Sequence, residues 1–147
     1  TCRAGRAAAR VDSSPGLGDR RAMLGTMLQV AAGGALGAAA RYLVGAAAMR
    51  LVGPGFPWAT LVVNVAGSFL MGVLVVVLAR RGGQHLAPFL MTGVLGGFTT
   101  FSAFSLDVAT LYERGAVASA AAYAAASVLL SVAGLFAGLA LARGALQ

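Results

Sequence analysis

The sequence predicts an all-α membrane protein with four transmembrane helices per subunit, the third broken at a Gly/Thr segment, assembled as an antiparallel, dual-topology homodimer. Three observations carry this expectation. Of 147 residues, 59% are hydrophobic and only 10% charged, whereas soluble domains average about 25% charged and 45–50% apolar. Four segments reach the roughly 20 mainly apolar residues that a helix needs to cross the hydrocarbon core of a bilayer. Without residues 1–26 the arginines flanking those segments divide almost evenly between the two faces, Arg80, Arg81 and Arg143 against Arg50 and Arg114, whereas with them the count is eight against two. Because arginine bias sets orientation, a chain starting at Met23 or Met27 carries little instruction about which way to face, and an antiparallel dimer is its natural assembly.

Residues 1–26 begin as an Arg-, Ala-, Gly- and Ser-rich stretch without an apolar run. They read as a disordered extension, or as sequence upstream of a start at Met23 or Met27. A basic stretch before an apolar one is also the outline of a signal peptide, but the apolar run from Met27 passes 20 residues with no evident cleavage site. The membrane domain is therefore expected over 27–147. Its first span, 27–49, holds one charge, Arg41; the second, 58–79, holds none. The third, 86–111, carries Asp107 near its end and is interrupted by Gly93, Gly96, Gly97 and hydroxyl residues. The fourth, 116–142, is again free of charge. Connections at 50–57, 80–85 and 113–115 are short and rich in Gly, Pro and charge, so neighbouring helices run antiparallel and no soluble catalytic domain fits.

The net charge of +7 divides into two unrelated parts. Arg3, Arg6, Arg10, Arg20 and Arg21 with Asp12 and Asp19 account for +3, and scattered single charges account for the rest. A nucleic-acid groove needs clustered cations with interleaved aromatics, and this chain has none. The lone Cys2 cannot form an intramolecular disulfide or a Cys-based metal site. Glycines recur at small-xxx-small spacing, Gly33 with Gly37, Gly93 with Gly97 and Gly134 with Gly138, the spacing that lets helix backbones approach closely in lipid.

Polar groups inside membrane spans are costly, which makes them functional candidates. Arg41 is either a cation snorkelling to the interface or one facing an aqueous vestibule that concentrates an anion. Asn64, the one asparagine of the chain, lies within the second span, either bonding helix to helix or presenting donors to a permeating ion. In the third span Gly96, Gly97, Thr99 and Thr100 are poor helix formers side by side, so the helix is expected to break between Gly96 and Thr100. Irregular backbone at membrane depth survives only where its freed groups face protein, water or ions, and unwound carbonyls of this kind coordinate cations. Phe98, Phe101 and Phe104 recur every three residues, with Ser102 between the last two and Ser105 directly after them. Such a stripe is either packing or a set of electropositive ring edges that, with Thr100 and the serine hydroxyls, line an anion path. Tyr123, Ser127 and Ser131 fall at i, i+4 and i+8 of the fourth helix and share one face, as a polar track or as serines bonded back to their own helix.

Apart from Asp107 the spans contain no acid, and the single His85 lies in a loop. That leaves no intramembrane proton relay for an exporter and no base beside a nucleophile for an enzyme. Two alternatives stay beside an ion channel: a small dual-topology multidrug exporter, which would need an acid deep in the first helix, and a structural membrane protein, which would explain the glycines but not the polar line.

Three blocks in order, GGALGAAARY (33–42), ATLVVNVAGSFLMG (59–72) and GVLGGFTTFSAFS (93–105), closely resemble the CrcB, or Fluc, family of fluoride channels, and the resemblance covers 27–142. It implies a multi-pass protein of the bacterial plasma membrane that passes fluoride through two pores of a dual-topology homodimer. It places the family's pore Asn on Asn64, its pore phenylalanines on Phe101 and Phe104, its vestibule Arg on Arg41 and its polar track on Tyr123, Ser127 and Ser131. It also implies a static structural Na+ held by main-chain carbonyls of Gly96 and Thr99 from both subunits. Ala103 departs from the pattern, since the family commonly has Thr there.

Overall fold

The computed structural model describes residues 17–146. Helix α1 (Leu17–Leu51) leads to α2 (Trp58–Arg81); a 3₁₀ turn (Gln84–Leu86) and a π-helix (Pro88–Leu95) open the third span, which continues as α3 (Gly96–Phe98) and α4 (Phe101–Glu113); α5 (Val117–Ala145) ends the fold. Four helical stretches, Gly18–Leu51, Trp58–Arg81, Gln84–Glu113 and Val117–Ala145, are long and apolar enough to cross a membrane. Helix α1 begins ten residues ahead of the expected first span. Part of the extension read as disordered, from Leu17 onward, is thus helical, because Arg20, Arg21, Ala22, Met23 and Leu24 are good helix formers that prolong α1. From Gly18 to Gln29 every residue is exposed, so this end of α1 stands clear of the packed bundle. The rest of that extension, and Gln147, lie outside the described residues.

The expected turns are in place. Gly82 closes α2 in the left-handed conformation at φ 68°, its N–H returned to the Leu78 carbonyl, a backbone that suits glycine because no Cβ obstructs it. Between α4 and α5 only Arg114, Gly115 and Ala116 intervene, which forces the two helices antiparallel.

Packing divides into two halves. Helix α1 lies chiefly against the π-helix and α3, and α2 chiefly against α5. Both contacts are made by the spaced glycines. The Gly33 and Gly93 backbones meet so closely that a Cβ on Gly93 would lie 2.9 Å from the Gly33 Cα, and one on Gly37 would lie 2.7 Å from the Phe98 N. On the other side, Gly72 faces Leu135 and Leu139, and Gly138 faces Phe69 and Val73. In lipid, where no hydrophobic force draws helices together, this close approach is a main source of association energy.

The densest apolar cluster lies where the start of α2, the end of α4 and the start of α5 converge. There Leu61, Leu111, Ala120 and the fully buried Tyr123 pack with Phe56, Val65, Phe104 and Val108. Phe56 stands edge-on to Tyr123, 5.5 Å between ring centroids at 90°, the arrangement that the ring quadrupoles favour. At the opposite end Arg80 Nη1 donates to the Leu146 carbonyl at 2.8 Å, joining the end of α2 to the end of the chain.

Candidate functional site

The third span breaks where the poor helix formers predict. Thr99 is the last residue tied to the preceding turn, its N–H and its hydroxyl both donating to the Leu95 carbonyl at 2.9 Å. Its backbone then swings to φ −79°, ψ 156°, and Thr100 follows at φ −154°, ψ 124°. Helix α4 restarts at once because the Thr100 hydroxyl accepts the Ala103 N–H at 3.2 Å, the Ser/Thr N-cap geometry.

An extended residue at membrane depth strands its amide and carbonyl, and lipid cannot satisfy either. Asn64 resolves this at Thr100. Its Oδ1 accepts the Thr100 N–H at 2.8 Å, and its Nδ2 donates to the Thr100 carbonyl at 3.0 Å. The carboxamide thus pairs with one backbone unit as a neighbouring strand would. Of the two readings of Asn64, helix-to-helix bonding is present, and one of its two N–H donors is left over.

Arg41 reaches the same break from α1. Its Nε donates to the Gly97 carbonyl at 3.2 Å, half-buried, while Gly97 itself lies against Gly34 of α1. The guanidinium has five donors, so this bond leaves most of it available. Two further carbonyls of the break lose their helical donors by diversion. The Thr100 N–H, which would close a turn onto Gly96, goes to Asn64, and the Ala103 N–H, which would close one onto Thr99, goes to the Thr100 hydroxyl. Gly96 and Thr99 are the two residues whose carbonyls the resemblance assigns to a cation.

Beside the break an open groove of about 630 Å³ runs between α2 and α5. It gathers Asn64, Gly96, Thr99, Thr100, Phe101, Phe104, Ser127 and Ser131, eight of the residues singled out in the sequence. Phe101 is 76% exposed and Phe104 packs inward, their rings 5.3 Å apart at 46°. The Ser127 and Ser131 hydroxyls are buried and have no hydrogen-bond partner within 3.5 Å, Ser127 lying near the Tyr123 hydroxyl. They are not bonded back to their own helix, and an unmatched buried hydroxyl is expensive, so both are open to a partner entering the groove.

Other candidates lie elsewhere. Arg41 is not on the groove wall. Nor is Tyr123, which is fully buried in the core and donates its hydroxyl to Asp107 Oδ2 at 3.0 Å. Ser105 returns its hydroxyl to the Phe101 carbonyl at 3.0 Å, and Ser102 pairs with the Thr100 hydroxyl at 3.2 Å; both are exposed and outside the groove. Sequence reasoning passed over Ser68, Gly67 and Met71, which line it. The signal was available, because 64, 67, 68 and 71 share one helix face. It also left Asp107 without a partner, although Asp107 and Tyr123 meet across the α4–α5 turn.

The chain matches the family described as "CrcB-like protein, Camphor Resistance (CrcB)" over residues 28–139. It is 67% identical over 122 residues to the "Fluoride-specific ion channel FluC" of Cereibacter sphaeroides, covering 83% of this chain and 98% of that relative. Proteins of the same description from Paracoccus denitrificans and Mesorhizobium japonicum are 62% and 54% identical over 119 and 118 residues. Those alignments cover 81% and 80% of this chain and 95% of each relative.

Proposed function

Since the chain belongs to the CrcB family of multi-pass membrane proteins, we propose that it is a fluoride-selective channel that lets F⁻ leave the cell passively and so lowers cytoplasmic fluoride. The observation that carries this reading is one groove gathering unpaired hydroxyls, the spare Asn64 donor and two phenyl rings, in spans whose one acid away from their ends, Asp107, is already bonded to Tyr123. Removing the hydration shell of a small anion is costly, and a path through lipid must replace it with donors. Ser127, Ser131 and Asn64 offer true hydrogen bonds. Phe101 and Phe104 offer ring edges carrying partial positive charge, which attract an anion without holding it as tightly as a cation would. Arg41 adds a permanent positive charge that raises the local concentration of anions.

The conducting unit is an antiparallel homodimer. The groove is open along one side, and its unpaired hydroxyls and freed carbonyls cannot be satisfied by lipid; a second copy covers them. Counted from Met23 onward, the arginines at the two ends number three against two, which permits insertion in both orientations. A structural Na+ fits the break, since the Gly96 and Thr99 carbonyls have both lost their helical donors and hard cations prefer oxygen ligands. Side chains offer no competing site, for among the described residues no three His, Cys, Asp or Glu cluster. Bound there, Na+ would fix the break of the two subunits as a static charge; Gly96 and Thr99 would hold it.

Protein reconstituted in liposomes loaded with fluoride and chloride is expected to release F⁻ and retain Cl⁻, followed with ion-selective electrodes; release of both at equal rates overturns the reading. In the same assay Phe101→Ile, which keeps bulk but removes the ring, is expected to slow fluoride release at least about tenfold, the scale of one aromatic contact of about 1.4 kcal/mol.

A further inference from the structure

Ser68 occupies a place that neither the break nor the fourth-helix serines account for. It lies four residues after Asn64 on α2, hence on the same face one turn on, and lines the same groove. Among the described residues its hydroxyl finds no hydrogen-bond partner, unlike those of Thr99, Ser105 and Thr110, each of which returns to its own helix. The register of α2 on α5 sets what it faces. Gly134 lies over Val65 and Phe69, Gly72 faces Leu135, and Gly138 faces Phe69, which brings Ser68 level with the turn of α5 running from Ser131 to Leu135. On that wall the Ser127 and Ser131 hydroxyls are buried without a partner, Ser127 only 4% exposed.

We propose that Ser68 is a specificity-determining residue of the pathway, its hydroxyl completing with Ser127 and Ser131 a three-donor subsite for a small dehydrated anion, one helical turn beyond Asn64. The inference rests on the fluoride-channel reading and adds a position to it. Three hydroxyls from two helices approach an ion from different sides, so a small anion can bond to all of them. Chloride is larger and forms weaker hydrogen bonds, so the same donors return less of its hydration. Each hydroxyl rotates freely, donating to the anion while its lone pairs stay turned away, so the site recognises charge and size without a fixed cation that would trap the ion.

The test uses the full chain in liposomes, comparing wild type with Ser68→Ala, Ser68→Cys and Ser68→Thr for fluoride and chloride release, each confirmed as a monodisperse peak in detergent. Ser68→Ala is expected to slow fluoride release about tenfold, the scale of one hydrogen bond to a charged acceptor, without raising chloride release. Ser68→Cys, a poor donor of similar size, should fall between, and Ser68→Thr, which restores the hydroxyl, should return to within about threefold of wild type. A Ser68→Ala channel running at the wild-type rate overturns the inference and leaves the channel reading standing. Equal slowing in Ser68→Ala and Ser68→Thr overturns it too, since shape and not the hydroxyl would then matter. Wild type that releases no fluoride overturns the channel reading itself, and the Ser68 inference with it.

Discussion

An Asn64→Ala channel is expected to lose fluoride conduction by at least about a hundredfold, measured as liposome efflux. The residue does two things at once, and alanine removes both. It pairs with the amide and the carbonyl of Thr100, and each buried polar group left unpaired costs about 1–3 kcal/mol. It also takes a donor from the groove. The break would respond by closing toward helix, returning the Thr100 N–H to the Gly96 carbonyl and re-aiming α4, which carries Phe101 and Phe104. Asn64→Asp separates the two roles. A carboxylate still accepts the Thr100 N–H but cannot donate to its carbonyl, and it sets a negative charge on the path of an anion. That variant should be as inactive as alanine. Conduction near the wild-type rate in either would show that the carboxamide neither holds the break nor serves the ion.

The second large effect concerns assembly of the subunit. Gly37→Leu is expected to abolish recovery of a monodisperse folded protein, because even its Cβ would enter the backbone of Val94 and Phe98, with 2.7 Å to the Phe98 N. Atoms of a backbone cannot step aside as a flexible side chain can, and overpacking of a rigid contact costs about 1–3 kcal/mol or more. Parting α1 from the third span would also draw Arg41, one turn on, away from the Gly97 carbonyl. Gly34→Ala supplies the control. Nothing lies within 4 Å of a Cβ there, and alanine is favoured over glycine in a helix by about 1 kcal/mol, so this variant should fold and conduct normally. The reverse order, Gly34→Ala failing and Gly37→Leu folding, would contradict the packing described.

Much of this arrangement was legible in the residues. Apolar length located four spans, small-xxx-small spacing located the surfaces on which they meet, and the run Gly96-Gly97-Phe98-Thr99-Thr100 located the break, because each feature follows from local chemistry. What escaped reading depended on partners distant in sequence or on choices between equivalent bonds. Ser102, Ser105, Ser127 and Ser131 look alike as sequence, yet the first two satisfy their hydroxyls locally at the start of α4, while the last two stay unpaired on the groove wall. Tyr123 shares a helical face with those serines but sits one turn nearer the apolar cluster, where Asp107 accepts its hydroxyl. The π-helix of Pro88–Leu95 has no sequence signature beyond the proline at its start. Helix α1 runs past the apolar boundary to Leu17 because helix propensity continues where hydrophobicity stops.

The claim on which everything else depends is that the groove passes fluoride and rejects chloride, and a single electrical measurement addresses it. With the protein in a planar bilayer, fluoride on one side and an equal concentration of chloride on the other, the account predicts a current carried by fluoride alone, its reversal potential driven far from zero in the direction that opposes fluoride flow. A reversal potential near zero, meaning that the two anions permeate alike, would contradict it.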